Sequence, residues 1–487
     1  MRSAGILLHL TSLPSPYGIG TMGKAAYDFA EFLHAAGQHY WQLLPIGPTS
    51  YGDSPYQCVS TFAGNPYLID LDLLAQEGLL TPQELKDLPN PERVDYSLLY
   101  EQRYPLLYKA FLRGSKPLAR EITAFRQENP WVEDYALFMA VKRTRSMACW
   151  AQWQEDIRLR RPDAIEACTA AYREDLEFFV FLQYLFDRQW KALRDFVHRL
   201  GIELIGDLPI YVPYDSCEVW TQSELFQLDR EKRPTAVAGC PPDLFSAEGQ
   251  LWGNPLYRWD AMAQDDFLWW RQRIAGASSR FDVIRIDHFR GLESYWSVPY
   301  GEPTARNGQW IKGPGKDFTD CLKKHFPTLR FIAEDLGYLT PEVLQLRQDF
   351  GYPGMKILEF AFDPREPGNY LPHRYHSNCV CYSGTHDNET LAQWLEGLAP
   401  EGVQHAMAYL NVRDPAELPE ALLRCGLSSV ADTFIAQMQD YLGLGAQSRM
   451  NTPGILSPNN WSWRMSAEAL RPELAQELRR LVTLYER

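Results

Sequence analysis

The stretch "ILLHLTSLPSPYGIGTMGKAAYDFAEFL" (6–33) sets an apolar run ahead of Gly18-x-Gly20-x-x-Gly23 and a helix-like segment. That is the order of a dinucleotide-binding fingerprint, in which glycines open a strand-to-helix turn and the pyrophosphate rests on the helix N-terminus. The surroundings do not fit it. The fingerprint needs an acid about 20 residues further on to hold the ribose, and between Phe32 and Gly52 there is no acidic residue. Pro14 and Pro16 stand where the tight turn should form. The glycines more simply let a loop run close to a ligand or to another loop, so the fold has to be read from what repeats along the chain.

What repeats is a short apolar run of β-type residues, then a polar or glycine-rich segment, then a helical stretch. The runs are "GILLHL" (5–10), "HYWQLLPIG" (39–47), "IELIGDLPIYV" (202–212), "FDVIRIDHF" (281–289), "LRFIAEDLG" (329–337), "MKILEFAFD" (355–363), "CVCYSGTHDN" (379–388) and, less clearly, "TFIAQMQDYLG" (433–443). Helices are expected between them, for example over 24–36 and 341–350. Alternating β and α elements imply right-handed crossovers and a parallel sheet. Eight such units predict an α/β fold, a closed (β/α)8 TIM barrel over 1–487, with a doubly wound open sheet as the alternative. The second and third runs lie about 150 residues apart, separated mostly by amphipathic helix. We read 48–200 as a helical insertion subdomain on the barrel and 290–316 as a second, small insertion.

Composition limits the function classes. The 487 residues include 45% hydrophobic and 23% charged, enough for a sizeable core. A formal net charge of −14 argues against nucleic acid or an anionic membrane surface as partner. The basic clusters around Arg143 and Arg160 sit in helix-like sequence and read as solvated faces. Nine cysteines, none in C-x2-C spacing, read as reduced thiols rather than a zinc or disulfide framework. Cys379 and Cys381 would share one face of a strand and pack into a core. The apolar run at 6–8 is too short for a signal peptide and no stretch is long enough to span a membrane, so a cytoplasmic protein is expected. Aromatics reach 13%, with 15 Trp and 26 Tyr, which suits either stacking on sugar rings or a bulky core.

Three segments carry chemistry: "RIDHFRG" (285–291), "AEDLG" (333–337) and "GTHDN" (384–388). Each sets an acid at the end of an apolar run: Asp287, Glu334 and Asp387, spaced by 47 and 53 residues. In a barrel all strands end at one mouth, so three carboxylates would converge there against their mutual repulsion. Glycoside chemistry needs that arrangement. Retaining cleavage uses one ionised carboxylate as nucleophile and one protonated carboxyl as general acid. Period two sets Arg285 on the face of Asp287, where a guanidinium keeps the nucleophile ionised. Crowding raises the neighbouring acid, which suits Glu334 as acid and then base. His386 could bond a sugar hydroxyl. Any one of the acids alone could equally cap the next helix; the three together with Arg285 and His386 favour a site.

With these segments in hand, the chain resembles the 4-α-glucanotransferases called amylomaltases or disproportionating enzymes, a branch of the α-amylase superfamily. The resemblance runs nearly end to end, through "LTSLPSPYGIG" (10–20), "YWQLLPIGPTSYGDSPYQ" (40–57), "FAGNPYLIDL" (62–71), "GDLPIYV" (206–212), "PPDLFSAEGQLWGNPLY" (241–257), "RIDHFRG", "AEDLG", "PGMKILEFAF" (353–362), "GTHDN" and "RMNTPG" (449–454). It implies a (β/α)8 barrel and retaining transfer of α-1,4-glucan segments. By resemblance Asp287 is the nucleophile, Glu334 the acid/base and Asp387 the residue that holds the distorted sugar. Arg285, His386, Asp207 and Tyr56 would line the same subsite, and Trp252 would stack on sugar near the cleavage point. The loop 238–250 would cover the groove with Asp243 reaching in; Asn460 and Asp363 would be further contacts, and Tyr51 would serve a secondary glucan site. "GDLPIYV" lacks the histidine that many amylases carry a few residues after the aspartate, as amylomaltases also do. No oxygen-rich loop resembles a calcium site, and no metal or cofactor is expected.

The same carboxylates would serve an α-1,4-glucan hydrolase, with water as the final acceptor, and only the resemblance favours transfer. A non-catalytic carbohydrate-binding protein has no need of three converging acids. The expected partners are α-1,4-glucans and maltooligosaccharides, with no nucleic acid and no membrane, in a monomer or weak homodimer.

Overall fold

Each of the eight apolar runs contains a strand of one closed parallel barrel. In the computed structural model, which describes residues 2–242, 246–337, 339–363 and 370–487, the barrel strands are β1 (Ser3–Leu7), β2 (Tyr40–Gln42), β3 (Glu203–Leu208), β6 (Val283–Ile286), β9 (Arg330–Ala333), β10 (Gly354–Ile357), β11 (Cys379–Tyr382) and β12 (Thr433–Gln437). Their order around the barrel is β1-β12-β11-β10-β9-β6-β3-β2, so every strand pairs with its neighbour in sequence among these eight and β12 closes onto β1. This is a (β/α)8 barrel, not an open sheet.

The strands are shorter than the apolar runs for a reason visible in the sequence. Proline offers no N–H to a ladder: Pro209 follows Leu208 at the end of β3, and Pro45 stands in the run that holds β2. Alternation along each strand then sorts side chains between two cores. Ile205, Val283, Ile332, Met355, Ile357, Val380, Tyr382 and Ile435 fill the barrel interior, whereas Ile284 and Ile286 face the surrounding helices. Cys379 and Cys381 lie on the outer face of β11, packed with Trp394 and Leu422. All nine cysteines are free thiols.

Gly20 is required by close approach. A Cβ there would lie 1.8 Å from the carbonyl oxygen of Leu10, so the 18–23 glycine segment is folded against the turn that leaves β1 and forms no phosphate cradle.

Between β2 and β3 the chain first runs through a loop carrying Tyr56, then through helices that begin at Leu71–Gln76 and end with Arg173–Arg199. That last helix has 27 residues, about 40 Å at the usual rise. Its first half packs Phe178 and Phe181 on Phe111 of the inserted helix Tyr96–Gly114. Its second half lies on the barrel, with Phe196 against Tyr27 and Trp190 against Phe281. Two buried glutamines on it fasten the preceding loop: Gln183 bonds both N–H (2.7 Å) and C=O (2.9 Å) of Gly64, and Gln189 does the same for Asp70 (2.7 and 3.2 Å). Each amide replaces a strand neighbour for backbone that would otherwise be buried unpaired.

Four further strands, β4 (Ala236–Cys240), β5 (Gln250–Pro255), β7 (Ser294–Pro299) and β8 (Gln309–Lys312), form an antiparallel sheet in the order β5-β4-β7-β8. It draws on the segment after β3 and the segment after β6, so it stands at the carboxyl ends of those strands. The stretch 238–250, expected as a covering loop, contributes to two of these strands and to the turn between them.

Among the described residues no helix is long and apolar enough to cross a membrane.

Candidate active site

The barrel brings Asp207, Arg285, Asp287, Glu334, His386 and Asp387 to its carboxyl end because the first four belong to or directly follow a barrel strand and the last two lie in the short arc that leaves β11. β3 and β6 pair with Asp207 opposite Arg285. Ile205 and Val283 point into the barrel on these strands, so two residues later Asp207 and Arg285 point inward as well. The Nη1 of Arg285 donates to both carboxylate oxygens of Asp207 (2.7 and 2.7 Å) and to Oδ1 of Asp287 (3.0 Å). The Asp207 side chain is fully buried and that of Arg285 5% exposed, while that of Asp287 is 28% exposed. The arginine thus joins a closed carboxylate below to one open to the mouth above.

Glu334 follows β9, the neighbour of β6. Its Oε2 accepts the backbone N–H of His288 at 2.5 Å, so Glu334 is held by the very peptide that joins Asp287 to His288. His288 has a left-handed backbone (φ 50°), an uncommon conformation for a non-glycine residue and one that collects at functional sites. Burial pushes the Glu334 carboxyl well above the usual range; the nearby Arg285 opposes the rise and the negative charge on Asp287 adds to it. Burial also raises Asp287, with Asp207 and Asp387 adding to the rise and Arg285 opposing it by charge and hydrogen bond. Both carboxyls are raised, and the direct bond from Arg285 favours the ionised form of Asp287, so a proton shared by the pair is favoured on Glu334.

Asp387 stands in the arc after β11. Its Oδ1 accepts from Asn451 Nδ2 at 2.6 Å and lies 3.3 Å from His386 Nε2, while its backbone carbonyl accepts from Arg449 Nη2 at 2.8 Å. Burial lowers the His386 pKa more than Asp387 raises it, which favours the neutral ring, and its Nδ1 lies 3.4 Å from the Tyr56 hydroxyl. Tyr56 stacks on His386 with centroids 4.9 Å apart and donates to Asp207 Oδ2 at 2.8 Å. Burial raises the Tyr56 phenol far above its ordinary value, and Asp207 raises it further. Trp461 completes the aromatic group, 5.9 Å from both rings. Trp252, on β5, meets the His288 ring edge-on at 4.7 Å, which sets the indole one residue from Asp287.

Asp363 ends the short helix Leu358–Phe362 that follows β10. Asn460 bonds its own loop, accepting from Thr452 N–H (3.1 Å) and donating to the Ile455 carbonyl (2.8 Å). Asp243 and the side chain of Tyr51 lie outside the described residues. Asn451 and Arg449, which hold Asp387, were not singled out from the sequence, although both lie in "RMNTPG". Among the described residues, the His, Cys and acidic side chains close enough to share an ion are Asp266, Cys321 and His325, with ligand atoms within 4.8 Å. They sit on the outer helix layer, and the Asp266 carboxylate is already bound by Lys324 (2.8 Å) and His325 (2.9 Å).

The 4-alpha-glucanotransferase family model matches residues 8–470. A 4-alpha-glucanotransferase of Thermus thermophilus is 47% identical over 500 aligned residues, covering 100% of this chain and 99% of that protein. One from Clostridium butyricum is 44% identical over 486, covering 99% and 100%. Among solved structures, amylomaltase from Streptococcus agalactiae in complex with acarbose superimposes with a TM-score of 0.97 at 42% identity, covering 100% of both chains. With a barrel of this topology and a mouth of this chemistry, the chain belongs to the 4-alpha-glucanotransferase family.

Proposed function

We propose that this mouth transfers α-1,4-glucan segments between sugars by double displacement, with Asp287 as nucleophile and Glu334 as acid/base. Asp287 attacks the anomeric carbon of the donor while Glu334 gives its proton to the departing 4-oxygen, and a glucosyl ester forms on Asp287. The 4-hydroxyl of a second glucan then enters, Glu334 takes its proton back, and the new bond forms as the ester breaks. Asp387, oriented by Asn451 and His386, binds the ring that distorts at the reacting carbon. Arg285 keeps Asp287 ionised, Asp207 and Tyr56 fix Arg285 and His386, and Trp252 offers an apolar face to an adjacent sugar.

The observation that carries this reading is the unequal setting of two neighbouring carboxyls. One is ion-paired to a buried arginine; the other, among the described residues, is held by a backbone N–H and has no ion pair. That asymmetry is what separates a nucleophile from a proton donor.

Maltotriose supplies the test. Transfer gives glucose and a ladder of longer maltooligosaccharides at a constant number of reducing ends. Only shorter products with rising reducing ends would make water the acceptor and overturn the proposal in favour of hydrolysis.

A further inference from the structure

Behind the arc that carries Asp387 lies a carboxyl that the chemistry above does not use. Glu359, in the short helix after β10, is 4% exposed, and its Oε1 is buried with no hydrogen-bond partner. Among the described residues no cation forms an ion pair with it. The groups facing it are Asp440 and Glu389, both acidic, and Arg449, whose nitrogens are engaged by the carbonyls of Asp387 and Asn451 and by the Glu389 carboxylate. A lone carboxylate here would be repelled by two others and unsolvated, which pushes its pKa well above the usual carboxylate range.

Its position relates it to the reaction. A Cβ on Gly384 would fall 2.5 Å from Glu359 Oε1 and 2.9 Å from Gln437 Nε2, so the arc rests directly on this carboxyl at the one residue that allows it. Glu389, at the far side of the arc, gives its N–H to Glu359 and its carbonyl to Gln437 Nε2 (2.9 Å). Asp440 fastens the two flanks, accepting from Ser383 Oγ (2.6 Å) and Leu391 N–H (2.8 Å). The Glu359 carbonyl accepts the indole N–H of Trp394 (3.0 Å), on the helix that follows. His386 and Asp387 occupy the crest, held from above by Asn451 and Arg449.

We propose that Glu359 is a positioning residue for glucan transfer: its buried carboxyl supports residues 384–389 and fixes how far Asp387 reaches into the sugar subsite. The inference rests on the role given to Asp387 above.

The test compares Glu359→Gln, which keeps shape and an oxygen that can accept the Glu389 N–H, with Glu359→Leu, which keeps bulk but cannot bond the arc. Each is made alone and with Asp387→Asn. Displacement of a reacting-centre contact by a fraction of an ångström to 1 Å costs about 10- to 100-fold in rate. Glu359→Leu should therefore lower kcat on maltotriose by about that factor with KM nearly unchanged, and weaken acarbose binding measured by calorimetry. Glu359→Gln should restore most of both. In the Asp387→Asn background Glu359→Leu should cost acarbose affinity little more, because its effect passes through Asp387. A loss in Glu359→Gln as large as in Glu359→Leu would overturn the inference, as would an undiminished cost in the double variant. If Glu359→Leu does not fold, Glu359→Gln decides alone, with a tenfold or greater fall in kcat counting against the proposal. Asp387→Asn without effect on kcat or acarbose affinity would instead sink the role of Asp387.

Discussion

Arg285 divides its attention unequally: two bonds from one nitrogen go down to a buried aspartate and one goes up to Asp287. Asp287→Asn keeps the shape but removes the attacking charge. It should leave unfolding temperature and acarbose binding nearly unchanged while lowering turnover by about 10³-fold or more; ordinary turnover would remove Asp287 from its role. The pH profile of kcat/KM should be bell-shaped, rising as Asp287 loses its proton and falling as Glu334 loses its own. Arg285→Gln removes the attraction that lowers Asp287, so the rising limb should move to higher pH by about one unit or more. A limb that stays in place would mean that another group titrates there. Much of this was legible in the sequence, because period two alone places Arg285 beside Asp287. Asn451 was not: its bond to Asp387 spans 64 residues and depends on a loop path that no local pattern encodes.

At the scale of elements, the active loops owe their precision to parts that never touch substrate. Gln183 closes both backbone bonds of Gly64 from the helix Arg173–Arg199. Gln183→Leu leaves that N–H and C=O buried and unpaired, which should cost about 2–4 kcal/mol in denaturant unfolding. A cost below about 0.5 kcal/mol would show that water or a shifted loop replaces the amide. Trp252 sits on β5, outside the barrel, and is only partly buried. Trp252→Ala should weaken use of maltotriose more than that of longer glucans, while stability changes little; general unfolding would make it a core residue instead. The barrel strands could be located in the sequence because each is continuous, apolar and followed by its helix. The sheet β5-β4-β7-β8 could not, because its strands come in pairs from two segments separated by β6 and are recognisable only once the barrel brings those segments together.

The whole molecule assigns stability and chemistry to opposite ends of the same strands. Ile205, Val283 and Ile332 pack the interior, and two residues further on Asp207, Arg285 and Glu334 carry the charges. That division follows from the fold and explains why three short motifs were enough to find the mouth. The setting of Glu359 was not legible, since its neighbours Glu389, Asp440 and Arg449 come from the segments after β11 and β12. Transfer by double displacement requires an ester formed at Asp287. The direct measurement uses Glu334→Gln with α-maltosyl fluoride, whose leaving group needs no proton, followed by peptide mass spectrometry. Without a base to complete transfer the maltosyl group should accumulate on the peptide containing Asp287. Label on another residue, or steady turnover with no label at all, would contradict it.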